Sequence, residues 1–165
     1  MPEKKTIERA RQHKRARKSA STQAGEFVKE VIHDVRKGKH GARSTKQAIA
    51  IGLSQARRAG VDLPAPKKGK ASQKTRRKAQ QDLKAGHDHP DRKPSAKRSR
   101  ASHRALEREG TSAASHEALS RQATAAARKR TAGERSEAAK KAALTKGPAK
   151  RHAAAVKAAR TRAKK

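Results

Sequence analysis

Lysine and arginine are the residues of this chain whose number and spacing carry chemistry, and that chemistry is the neutralisation of phosphate. There are 46 of them against 14 Asp plus Glu in 165 residues, a formal net charge of +32. A run of such side chains releases the counterions of a polyanion on contact. The residues singled out for phosphate contact follow the chain. Lys39 and Arg43 flank the head of one helical pattern, and Arg57 and Arg58 lie at its end. Lys67, Lys68 and Lys70 sit in a linker, and Arg76, Arg77, Lys78, Arg98 and Arg100 come in the stretches that follow. Arg128, Lys129, Arg130, Lys140, Lys141, Lys150, Arg151, Lys157, Arg160, Arg162, Lys164 and Lys165 crowd the last third. Residues 1–63 hold 16 basic and 6 acidic side chains, a net of +10; residues 64–165 hold 30 and 8, a net of +22. An imbalance sustained through the whole chain points to a polyanionic partner rather than to one solvated face.

Other chemistries find little support. Cysteine is absent, which excludes disulfides and thiolate metal sites. His87, Asp88, His89 and Asp91 have metal-ligating side chains, but the cluster is short, surrounds Pro90 and reads as a polar linker. The other histidines, His33 and His40 among them, are scattered, and no Ser–His–acid set or carboxylate pair assembles on so few core residues. We expect no enzyme, no cofactor and no metal. The loop Gly38–Arg43, GKHGAR, brings Lys39, His40, Arg43 and the amides before Ser44 to a helix N-terminus, where one phosphate would fit. It lacks the GxxxxGK[ST] spacing, and a turn linking two helices is the simpler reading.

The kind of polyanion is narrowed by what is missing. Single-strand binders stack bases on aromatic side chains, and Phe27 is the only aromatic residue. Asn, a common reader of adenine in the major groove, does not occur. A helix-turn-helix would need a turn of three or four residues, and the turn here has six. Duplex DNA held through its phosphates, with little sequence preference, is therefore the expected partner, with RNA as the other candidate.

These cations must be positioned by a fold with little interior. Apolar residues make up 32% of the chain, and much of that is Ala. Large aliphatics concentrate between Phe27 and Leu63, so the expected fold is all-α: a small helical hairpin at residues 21–60, followed by a largely disordered or isolated-helix basic tail. Phe27, Val28, Val31, Ile32 and Val35 recur at helical spacing from Ser21 or Thr22 to Lys37, with Gly38 as the stop. Ser44 and Gln47 form a capping box for a helix that reaches about Ala59 and stops at Gly60. Its stripe is Ala48, Ile49, Gly52, Leu53 and Ala56, with Gly52 marking a close helix approach and Ile51 facing a second contact. Val61 and Leu63 fold back, and Pro64 and Pro66 close the hairpin. So small a core is marginal alone, and a homodimer through the apolar stripe would support it.

Around the hairpin the pattern weakens. Met1–Ser19 reads as a cationic arm without an adequate apolar stripe. It also lacks the apolar segment of a signal peptide, and no run approaches the ~18 apolar residues of a membrane helix; the expected place is the cytoplasm, on the nucleoid. Residues 64–94 read as a basic linker with a helix over 71–85 stopped by Gly86. Residues 95–165 form an Ala/Lys/Arg-rich tail. Within it Arg135–Lys146, RSEAAKKAALTK, is repeated as Arg151–Arg162, RHAAAVKAARTR. Helix propensity and like-charge repulsion at i,i+4 nearly cancel there, so the free tail is expected to gain helix on meeting phosphates.

The stretch Ser21–Val61, and within it KHGARSTKQAIAIGLS, resembles a bacterial family of small basic proteins defined by a domain of unknown function. ASHRALEREG and ALSRQATAAARKR are similar to tails attached to that domain, and the terminal repeats resemble linker-histone tails. The resemblance implies an organisation and no established activity. The resulting expectation is a non-enzymatic, nucleoid-associated binder and compactor of duplex DNA. The other reading is an adaptor whose hairpin takes a protein partner while the tail tethers it to DNA or RNA, ribosomal RNA included.

Overall fold

A computed structural model describes residues 2–89 and 95–163, and every regular element among them is helical. The helices are α1 (Lys4–Arg15), α2 (Ala20–Arg36), α3 (Thr45–Arg58), α4 (Gln73–Asp88), α5 (Ala96–Glu107), α6 (His116–Arg128) and α7 (Ala132–Ala163), with a short 3-10 turn at Ser112–Ala114 before α6. The chain divides into two compact units, Met1–Ser120 and Arg121–Lys165.

The expected hairpin is the centre of the first unit. α2 begins two or three residues earlier than Ser21 or Thr22 suggested: Ser19 is its N-cap residue and bonds the hydroxyls of Ser21 and Thr22 rather than a backbone amide. Its end is a Schellman motif, with Gly38 at φ 71° and bonds from Gly38 N to Val35 O and from Lys39 N to Asp34 O. α3 is capped as expected, Gln47 N donating to Ser44 Oγ at 3.2 Å. The return bond of the box goes one residue further back, from Arg43 N to Gln47 Oε1 at 2.8 Å.

The core is made of two clusters that divide the hairpin lengthwise. Phe27, Ala24 and Ala56 are fully buried in the first, with Ala10 of α1 and Val61 of the chain folding back after α3. Val31, Val35, Ala42 and Ala48 form the second, with Ala113 and Ala114 from seventy residues further on and Ile51 packed beside them. Ile51 thus takes the second contact expected of it, and Val61 and Leu63 fold back as expected.

Three segments read as outside the core belong to it. Residues 4–15 are not a free arm: Thr6 and Ala10 are buried and Ile7 packs on the Phe27 cluster. Two small residues and one aliphatic suffice because α1 also has polar ties to α2. α4 runs through Gly86 to Asp88 rather than stopping there, and buries Ala79, Asp82 and Gly86. Gly86 is a contact point, since a Cβ there would collide with the Arg57 carbonyl. The end of α5 and the segment after it clasp the hairpin with four backbone carbonyls as acceptors: Gly41 N donates to Leu106 O, Ala42 N to Gly110 O, Thr45 Oγ1 to Ala113 O and Arg36 Nε to Ala114 O, all at 2.6–3.0 Å. Part of the apolar stripe, Ala48, Leu53 and Ala56, is thus packed within the chain.

In the second unit the tail is helical. α7 starts with a reciprocal capping box, Glu134 N to Thr131 Oγ1 at 3.2 Å and Thr131 N to Glu134 Oε2 at 2.9 Å. It breaks at Gly147, φ 68° and ψ 168°, and resumes with Pro148, a residue suited to a first helical turn. The break falls between the two copies of the repeat, which carry the same local bond: Thr145 Oγ1 to Lys141 O at 2.8 Å and Thr161 Oγ1 to Lys157 O at 2.9 Å. Ala, Lys and Arg propensity, a cap and an i,i+3 pair between Glu137 and Lys140 together outweigh the cationic repulsion.

The hairpin's tightest point is Gly52, where an added Cβ would lie 2.6 Å from Val28 Cα. Overpacking costs about 1–3 kcal/mol, more than the roughly 1 kcal/mol that alanine gains as a helix former. Gly52→Ala is therefore expected to lower the urea midpoint of the helical CD signal. Gly25→Ala is expected to raise it by about 0.5–1 kcal/mol of stability, because an added Cβ there meets nothing within 4 Å. Equal shifts for the two variants would contradict the close approach of α2 and α3.

Candidate nucleic-acid interface

The surface potential of the first unit depends on where its few carboxylates go. Glu26, Glu30 and Asp34 follow one another at i+4 on α2 and so share one face. That face receives α1 and the turn after α2. His13 Nε2 lies 3.2 Å from Glu26 Oε1, the Glu3 amide donates to Glu30 Oε1 at 2.7 Å, and Lys39 Nζ lies 2.8 Å from Asp34 and 3.4 Å from Glu3. Hydrogen bonds to Asp34 and then Glu3 raise the Lys39 pKa above its ordinary value. On the other side of α3, Asp62 pairs with Lys14 at 3.5 Å and with His87 at 2.8 Å.

Asp82 is the most buried carboxylate in the unit, with 2% of its side chain exposed. It accepts from Ser54 Oγ at 2.7 Å, Arg58 Nε at 2.8 Å and Lys78 Nζ at 3.0 Å. Burial pushes its pKa up, but the bonds from Ser54, Lys78 and Arg58 outweigh burial and hold it below the ordinary 3.8. The bonds from Ser54 and Arg58 tie α4 to α3, while that from Lys78 is made within α4.

The cations selected from the sequence separate accordingly. Arg57 does not face solvent: it is 6% exposed, and its guanidinium donates to Leu63 O at 3.0 Å and Pro64 O at 3.2 Å. Burial lowers its pKa, partly offset by the charge of Asp82. It is a brace for the chain leaving α3, not a phosphate ligand. Lys39, Arg58 and Lys78 are half-exposed and already hold carboxylates. Arg76 is half-buried and donates to Pro66 O. Arg43, Lys67, Lys68, Lys70, Arg77, Arg98 and Arg100 lie exposed, as do Arg128, Lys129 and Arg130. In the second unit Lys140, Lys141, Lys150, Arg151, Lys157, Arg160 and Arg162 are all exposed; Lys164 and Lys165 lie outside the described residues.

The GKHGAR loop does not keep the amides that a phosphate would need. Those of Gly41, Ala42 and Arg43 are bonded to Leu106 O, Gly110 O and Gln47 Oε1. A Cβ on Gly41 would strike the Glu109 carbonyl, so that glycine answers to the clasp, as the helix-linking reading requires. Asp91 of the histidine–aspartate stretch lies outside the described residues, and His87 is committed to Asp62. Among the described residues no group of three side chains is placed to hold a metal, and no helix is long and apolar enough to cross a membrane.

Two exposed cations of α4, Lys74 and Lys84, were missed among the candidates. The available signal was position: once Ala79, Asp82 and Gly86 mark the inward face, Lys74, Arg77 and Lys84 fall opposite it.

Residues 11–69 match a family of unknown function (DUF6496). The match runs from within α1 through α2 and α3 into the following linker, and the stretch Ser21–Val61 lies inside it. α4, the clasp and the tail lie beyond it. No curated protein and no solved structure matches the chain.

Because the folded pKa of Asp82 is depressed, its contribution is complete above about pH 3.8 and is lost as the pH falls through the lower, folded value. Asp82→Asn is expected to cost about 1.5–3 kcal/mol at neutral pH, the usual worth of hydrogen bonds to a charged group. Amide exchange of α4 should accelerate more than that of α2. Equal protection of α4 in both proteins would show that Asp82 does not hold it.

Proposed function

We propose that this chain is a non-enzymatic nucleic-acid-binding protein that holds duplex DNA through its phosphates, with little sequence preference, and compacts it. The observation that carries this reading is the division of charge. The carboxylates lining the helix contacts are engaged within the fold, while cations are left exposed along both units. The cationic excess therefore faces outward, where it repels itself until an anionic polymer neutralises it.

The only aromatic side chain, Phe27, is fully buried, so no described residue offers a base the stacking platform that single-strand binders use. That favours the duplex. The two helical halves of α7 carry cations around their circumference, which suits bridging of neighbouring duplexes more than reading one groove. In this reading the tail works in a linker-histone-like manner, and the protein belongs with a bacterial nucleoid in the cytoplasm. The adaptor reading is less well supported, because the apolar stripe that would receive a protein partner is occupied by α1 and the 106–115 clasp.

The test is a salt series with equal lengths of duplex DNA, single-stranded DNA and duplex RNA. If about ten phosphates are contacted, log K against log salt should fall with a slope near −9 on duplex DNA. A chain ending at Arg130, just before the Thr131 cap of α7, should bind with a visibly shallower slope. Cutting after Pro64 would not serve, since it removes α4 and the clasp from the core. Failure of the full chain to shift duplex DNA at physiological ionic strength would overturn the proposal.

A further inference from the structure

Within the first unit, α4 differs from the other helices in the order of its outward face. Lys74, Arg77, Gln81 and Lys84 stand at i, i+3, i+7 and i+10, and all four are exposed. The opposite face is fixed by Ala79, Gly86 and Asp82. Lys78 borders the row but is spent on Asp82 at 3.0 Å. Asp88, one turn beyond Lys84, closes the row at its C-terminal end, and Lys67 and Lys68 lie exposed in the approach to its start. By contrast, the exposed cations Lys4, Lys5 and Arg9 of α1 have Glu8 among them. α5 repeats part of the spacing with Lys97, Arg100 and Arg104, but it buries no residue and so is not held by packing.

We propose that the Lys74–Arg77–Lys84 row of α4 is the site by which the folded unit seats itself on the sugar–phosphate backbone of a nucleic-acid duplex. This inference rests on the function proposed above and gives it a defined point of contact. Ten residues of helix rise about 15 Å, and phosphates on one strand of a duplex recur about every 3.4 Å along its axis. A straight row therefore spans several consecutive phosphates and meets up to three with its cations. Its backbone is preorganised by the Asp82 tie, so binding orders only the side chains. Gln81 lies within the row as a neutral donor, and no carboxylate interrupts it between Lys74 and Lys84 on that face.

The experiment compares two full-length variants of equal charge loss, Lys74→Gln/Arg77→Gln/Lys84→Gln and Lys4→Gln/Lys5→Gln/Arg9→Gln, in salt series on duplex DNA and duplex RNA. Gln is a good helix former, and CD checks that both variants keep their helix. Loss of three phosphate contacts should make the slope for the α4 variant shallower by about 2.7, with the α1 variant changing by less than about 1. A loss on either duplex supports the site and tells which backbone it fits. Gln81→Lys should steepen the slope by about 0.9, a gain that damage to the fold cannot imitate. Equal slopes for the two triple variants, or no change with Gln81→Lys, would overturn the α4 site while leaving phosphate binding in place. A wild-type chain that ignores both duplexes would remove the functional reading itself.

Discussion

Repulsion among the cations is the constraint to which the rest of this fold answers. With 46 basic and 14 acidic side chains, helices can be brought together only where the local excess is cancelled. Several of the first unit's carboxylates accordingly sit at helix contacts. Glu26, Glu30 and Asp34 form a line along α2 that receives α1, and Asp82 takes three donors between α4 and α3. A carboxylate at an interface serves two purposes. It makes the contact attractive, and it leaves the outer faces of the same helices without compensation.

The second constraint is the shortage of large apolar residues. Much of the buried apolar set is alanine, and the helices approach closely at Gly52 and Gly86, where any Cβ would collide. Burying a large aliphatic side chain contributes about 1.5–3 kcal/mol, and few are available here. The structure offsets this by recruiting distant segments: the 106–115 clasp places two alanines and four accepting carbonyls on the hairpin. The carboxylate ties and the clasp therefore act together to turn a marginal hairpin into a larger body.

The second unit handles the same repulsion differently. None of its described residues is buried, and α7 spreads its charges along two helical stretches divided at Gly147 and Pro148. Local terms are enough there: a capping box, an i,i+3 pair and high intrinsic propensity. Leu144 stays 84% exposed, which fits a segment whose order is local rather than tertiary.

The sequence by itself determined what depends on neighbours within one or two turns. The two helices of the hairpin, the stops at Gly38 and Gly60, the Ser44 cap and the interior place of Phe27 were all legible, because caps, spacing and propensity are local. The hint in Gly52 was legible too, since a helical glycine costs stability unless something lies against it. Tertiary structure alone decided which cations point outward. Arg57 and Arg58 are adjacent and chemically alike, yet the first is buried against carbonyls and the second reaches Asp82. The docking of α1, the passage of α4 through Gly86 and the clasp at Ala113 and Ala114 were equally hidden. In each, the partner lies far along the chain and the contact is made by small residues, carbonyls or one carboxylate, none of which leaves a periodic apolar trace.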